Sequence, residues 1–203
     1  MTPSPNRPGA GRLILCFGNP AREDDGIGPA IAERLEELSL AGVRVESNYQ
    51  LCVEDALAAA ESGLVVFVDA AESGPEPYSL ERVQPREGAD YTTHSLGPDQ
   101  LLGLARLDFG RSPEAYLLAV RGYSFGWFVE GLTERAEANL EAALDFLVDF
   151  LRGSADGAPG LTRAHPKTHL GEQLNRAESS GGAPQREGDR AISGGDMARG
   201  GTG

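Results

Sequence analysis

The chain has 203 residues, 40% of them hydrophobic, and a formal net charge of −13. That length and apolar content suit one domain with a real core, alone or with an appendage, while so acidic a surface disfavours nucleic acid and anionic membranes as partners. No apolar run reaches the roughly 18 residues that a membrane-spanning helix requires.

The amino end, "MTPSPNRPGAG", is polar and rich in proline and glycine. Residues 1–11 therefore read as a flexible arm rather than an apolar signal segment, and the protein is expected in the cytoplasm. "RLILCFG" is a short apolar run closed by glycine, the form of a buried strand. "GIGPAIAERLEELSLAG" follows as a helix: Pro29 fits its first turn, Ile31, Leu35 and Leu38 recur near helical spacing, and Gly42 ends it. "VRVESNYQ" alternates like a strand, "CVEDALAAAES" reads as a second helix, and "GLVVFVDA" is the almost continuous apolar run of a strand covered on both faces. "YSLERVQ" is a short strand, "GPDQLLGLARL" a helix, "EAYLLAVRGY" a strand and "TERAEANLEAALDFLVDFL" a long closing helix.

Strands alternating with helices predict an α/β fold over residues 12–152, a three-layer αβα sandwich around a mostly parallel, twisted sheet of about five strands. From Gly153 the composition changes to glycine-rich stretches such as "ESSGGAPQREGDR", with six Arg or Lys against six Asp or Glu. Residues 153–203 read as a disordered tail, too poor in apolar residues to offset its ordering entropy, so the acidic excess belongs to the folded part. His165 and His169 in "HPKTH" have a spacing that would suit a metal on a helix, but Pro166 disfavours that helix.

In sheets of this kind ligands collect at the carboxyl ends of the strands. Glu23, Asp24 and Asp25 follow the first strand in "GNPAREDDGIG", Asp69 closes the run "LVVFV", and His94 in "DYTTHSLG" is the only histidine outside the tail. A parallel arrangement brings Asp25 and Asp69 to one rim. Two carboxylates and an imidazole make a partial shell for a divalent first-row metal, leaving positions for water or substrate. Structural readings stand beside this one: Asp24 or Asp25 as a cap for the helix beginning near Gly26, Asp69 as an acceptor for loop amides, His94 as a neighbour of a helix cap.

Other chemistries find less support. Neither GxGxxG nor GxxxxGK[ST] is present and three acids would repel a phosphate, so no organic cofactor is expected. Cys16 lies inside the first strand and Cys52 has no histidine near it in sequence, so both read as reduced thiols rather than nucleophiles. No HExxH and no Ser, His and Asp arrangement is recognisable.

Taken in order, "GNPAREDDGIG", "VVFVDAAESG" and "TTHSLGPDQLL" resemble the three motifs of the hydrogenase maturation endopeptidases, and the similarity runs from about Leu13 to Leu151. The resemblance implies an endopeptidase that removes a carboxy-terminal extension from the precursor of the [NiFe] hydrogenase large subunit after nickel insertion. It implies Asp25, Asp69 and His94 as the metal-binding and catalytic residues, with the nickel carried by the substrate rather than held at rest. Asp24 then becomes a helix cap or a supporting acid. A non-catalytic module that binds nickel or the precursor would use the same three residues. Where many members carry a glycine-rich "GGT"-like turn before the second helix, this chain has "ESNYQLCVEDA", which looks more like members serving cytoplasmic, NAD-linked hydrogenases.

Overall fold

The computed structural model describes residues 11–86 and 96–153. Five strands, β1 (Arg12–Phe17), β2 (Val43–Asn48), β3 (Leu64–Ala71), β4 (Tyr78–Arg82) and β5 (Glu114–Arg121), form one sheet in the order β2-β1-β3-β5-β4. All neighbouring pairs are parallel except β4 with β5. Four helices, α1 (Ile27–Leu38), α2 (Asp55–Glu61), α3 (Pro98–Phe109) and α4 (Glu134–Arg152), cover it, and a 3-10 turn over Glu23–Gly26 precedes α1. The expected α/β sandwich with a mostly parallel five-stranded sheet is the observed fold.

The strands are apolar on both faces because each face has its own helical layer. Alternation along a strand divides their side chains. Ile14, Cys16, Val66, Val68, Leu118 and Val120 pack with α1 and α4, whereas Leu13, Leu15, Val65, Phe67 and Leu117 pack with α2 and α3. The same alternation puts Asp69 on the α2 and α3 side, in step with Val65 and Phe67.

Boundaries differ from expectation at two informative places. Helix α1 stops at Leu38 rather than at Gly42, because Ser39 adopts a left-handed conformation (φ +46°) and its N–H closes on the Glu36 carbonyl. Strand β3 continues to Ala71, because Asp69, Ala70 and Ala71 still pair with Ala119, Val120 and Arg121 of β5. Asp69 therefore lies inside a strand, not at its last position. The expected arm falls almost wholly outside the described residues, and the tail does so after Gly153.

The chain steps from β1 outward to β2 and then crosses to β3 on the other side of β1. The strand order reverses between β1 and β3, which is where an open α/β sheet leaves a crevice at its carboxyl edge. Asp25 follows one of these two strands and Asp69 belongs to the other.

Candidate active site at the carboxyl edge

The loop after β1 is built for close approach. Gly18 has φ +141°, and a Cβ there would stand 2.1 Å from the Asp25 carbonyl oxygen. Asn19 then closes the turn, its Oδ1 accepting from the Ala21 N–H at 3.0 Å while its own N–H donates to Asp25 Oδ2 at 3.2 Å. At Gly28 a Cβ would meet the Phe17 carbonyl oxygen at 2.3 Å, so the first turn of α1 rests directly on the end of β1. The glycine and asparagine of "GNPAREDDGIG" thus fix the backbone around the acids.

The three acids have separate tasks. The Glu23 carboxylate accepts from the Ser124 hydroxyl and, at 3.0 Å, from the Gly126 N–H. Asp24 is fully buried and accepts from the N–H groups of Tyr123 (2.7 Å), Ser124 (3.0 Å) and Thr133 (2.7 Å) and from the Thr133 hydroxyl (2.9 Å). Thr133 is itself the N-cap of α4, accepting from the Ala136 N–H at 3.3 Å. Neither Asp24 nor Asp25 caps α1, whose N-cap is Gly26 with no side-chain bond. Asp24 instead ties the loop after β1 to the loop after β5 and to α4. Its negative charge is offset by four donors, three of them backbone amides.

Asp25 is 5% exposed, with Oδ2 facing the Asn19 N–H and, at 3.5 Å, the Arg22 guanidinium. Asp69 is 3% exposed, and its Oδ2 has no hydrogen-bond partner among the described residues. Burial first, and then the charge of Asp25, push the Asp69 carboxyl well above its ordinary range, against a smaller opposing effect of the Ala70 backbone. The structure therefore brings Asp25 and Asp69 within electrostatic reach of each other in a nearly water-free place.

His94 lies outside the described residues, two positions before the buried Leu96. Among the described residues no group of three or more His, Cys, Asp or Glu side chains is arranged to hold a metal. The donor chemistry of the pair nevertheless fits one: an orphaned buried oxygen beside a second carboxylate is stabilised by a cation, and oxygen donors suit a divalent ion. The thiols do not compete for the role of nucleophile. Cys16 is 2% exposed and its pKa is pushed far up by burial. Cys52 donates to Asp55 Oδ2 at 3.3 Å, and burial together with that acid pushes its thiol up to about 11.

Two features went unread in the sequence. Arg22 is 5% exposed, donates to the Phe125 carbonyl at 3.2 Å and lies 4.3 Å from the centre of the Trp127 ring. The signal was an arginine placed directly before three acids. Trp127 and Phe128, in the glycine-flanked "FGWFVEG", are exposed aromatics in the loop after β5. Among the described residues no helix is long and apolar enough to cross a membrane.

No protein-family model matches the chain, and no curated protein matches it in sequence. Solved structures do. The chain is similar to the [NiFe] hydrogenase maturation protease HycI of Thermococcus kodakarensis, at 25% identity over 71% of this chain and 94% of that one, with a TM-score of 0.55. It is similar to the hydrogenase maturating endopeptidase HybD of Escherichia coli, at 25% identity over 70% and 92% of the two chains, with a TM-score of 0.57. A hydrogenase 2 maturation peptidase from a Thaumarchaeota archaeon aligns at 25% identity over 70% and 98%, with a TM-score of 0.52.

Proposed function

We infer that this chain, which belongs with the hydrogenase maturation endopeptidases by its fold and by the order of its motifs, is a protease of hydrogenase maturation. We propose further that it removes the carboxy-terminal extension of the [NiFe] hydrogenase large-subunit precursor once nickel is in place, in the cytoplasm. Asp25, Asp69 and His94 would read the nickel carried by that substrate and orient the bond to be cut. One observation supports this most: the buried Oδ2 of Asp69, without a partner among the described residues, beside Asp25 at the point of the sheet where the strand order reverses.

The electrostatics suit a visiting cation better than a resident one. Without a metal, burial and the neighbouring charge of Asp25 both favour the protonated form of Asp69. A dication presented by the substrate would favour the ionised form instead. Two carboxylates and one imidazole, with no thiolate, form a weak shell for a permanent zinc and leave positions that substrate thiolates can fill. The carbonyl of the scissile bond, polarised by the nickel, would then be attacked by a water, with one carboxylate as its base.

The test is incubation of the purified chain with nickel-loaded and nickel-free precursor, read by the mass of the precursor and by metal analysis of the protein beforehand. Shortening of the nickel-loaded form alone, by a protein that is largely metal-free, is the expected result. Binding of the precursor without any shortening would replace the protease reading with a non-catalytic maturation module. Stoichiometric zinc together with cleavage of nickel-free precursor would make the chain an ordinary metalloprotease.

A further inference from the structure

The loop between β5 and α4 presents apolar side chains at the same edge. Trp127 is 64% exposed, Phe128 is 91% exposed and Val129 is 43% exposed. Such a cluster is costly to leave in water, and this one is not left there by a slack backbone. The Glu23 N–H donates to the Val129 carbonyl at 2.8 Å, the Val129 N–H to the Ala21 carbonyl at 3.3 Å, and the Asp24 N–H to the Ser124 carbonyl at 3.0 Å. With the bonds from Ser124 and Gly126 to Glu23, these hold the loop to the acidic turn on both sides of the aromatics. Phe128 also has φ +60°, a backbone conformation unfavourable for a bulky residue.

The underside of this loop touches the candidate site. The Arg22 guanidinium lies under the Trp127 ring and donates to the Phe125 carbonyl, and its Nη1 stands 3.5 Å from Asp25 Oδ2. An aromatic exposed on one face therefore rests, through one buried cation, on a proposed catalytic carboxylate.

We propose that Trp127 and Phe128 dock an apolar stretch of the polypeptide substrate, and that Arg22, between the Trp127 ring and Asp25, is the positioning residue that couples docking to the orientation of Asp25. The inference rests on the protease reading above and names the surface that reading needs. The occupant is the substrate chain because the cluster is continuous, through Arg22, with the carboxylates that act on it. A loop whose backbone is already held binds with little further loss of loop entropy. Arg22 and Asp25 are already nearly buried, so their interaction beneath the docked chain is little screened by water.

Trp127 is the only tryptophan of the chain, so its emission reports on this surface without a label. Full-length protein is titrated with precursor and followed by tryptophan emission, and in parallel the cutting of nickel-loaded precursor is timed. A blue shift on binding, with Phe128→Ser weakening binding by about tenfold or more, is the expected result. Arg22→Gln should lower kcat and leave KM near its original value, and Arg22→Lys should restore part of kcat; a merely structural arginine would not split the two constants. Binding with unchanged emission and an unaffected Phe128→Ser variant overturns the proposal, as does a failure of the precursor to bind at all. Binding with the blue shift but no cutting overturns the protease reading and leaves the docking surface standing.

Discussion

Asp24, in the turn after β1, is fully buried and receives four hydrogen bonds from Tyr123, Ser124 and Thr133; Asp69, within β3, is 3% exposed and has one oxygen with no partner among the described residues. Both acids are buried at the same edge of one sheet. In the first region the fold surrounds the carboxylate with amides, so the charge becomes a fastener between two loops and a helix. In the second it leaves one oxygen without a donor among the described residues and adds the charge of Asp25, so the charged form of the acid is disfavoured. Satisfied burial reads as architecture and unsatisfied burial as function.

The contrast breaks most readily at Asp24. Asp24→Asn turns an amide N–H₂ toward a pocket whose contacts are all donors, so at least one of Tyr123, Ser124 and Thr133 loses its acceptor. A loss of roughly 3 kcal/mol or more is expected, on the order of 10 °C in Tm. Calorimetry and urea unfolding would measure it. A Tm within a degree or two of the wild type would mean that Asp24 is not the fastener described.

Asp25→Asn should cost less, about 1–2 kcal/mol, because an amide oxygen still accepts from the Asn19 N–H and only the charge on the Arg22 side is lost. Processing of nickel-loaded precursor should nevertheless be abolished, because the interaction with the cation requires that charge. The comparison is sharpened by the pair of variants: Asp24→Asn lowers activity by unfolding the protein, Asp25→Asn with the fold retained. Circular dichroism beside the cleavage assay separates the two.

Much of this was legible in the sequence because the signals were local. Apolar runs gave β1 and β3, alternation gave β2, and near-helical spacing gave α1, so the layers followed from strands alternating with helices. Asp25 and Asp69 stood out because carboxylates beside apolar runs are conspicuous, and the strand-end rule puts them at one edge of the sheet. What stayed hidden depended on contacts distant along the chain. Asp24 meets residues about a hundred positions away, and Arg22 meets Phe125 at a separation of 103, so no window around the acids reveals either role. The helix-cap reading failed for the same reason: the amides that satisfy Asp24 belong to the loop before α4, not to α1.

Asp69→Asn should move the stability of the metal-free chain in the opposite direction from Asp24→Asn. A carboxyl whose folded pKa is raised contributes stability that is complete below its unfolded pKa, near 4, and that is lost as pH rises through the raised folded value. Relative to Asp69→Asn, the wild type should therefore lose stability progressively as pH rises from the ordinary carboxylate range. The variant should have the higher Tm at neutral pH, and the gap should narrow toward pH 4, around the ordinary aspartate pKa. Paired thermal melts across that range, with chelator present, measure the difference directly, since the other carboxylates contribute equally to both proteins. A gap that widens as pH falls would show that Asp69 is stabilised as an anion, and the distinction between the two regions would fail.

The smallest effect is expected from removing residues 154–203, and it tests whether the contrast is a property of the domain alone. Among the described residues the last buried side chains, Leu147, Val148 and Leu151, come from helix α4, whose end is closed by the Gly153 N–H on the Asp149 carbonyl at 2.8 Å. Every donor to Asp24 and every residue described around Asp69 precedes that point. The removed stretch carries six basic and six acidic residues, so the full charge of −13 stays with residues 1–153 and the electrostatics of the acidic edge are unchanged. The truncated chain should keep its Tm within about 2 °C. In that background Asp24→Asn should still destabilise, and Asp69→Asn should still stabilise at neutral pH. A drop of several degrees on truncation, or loss of the opposite signs, would place part of the support for these acids beyond Gly153.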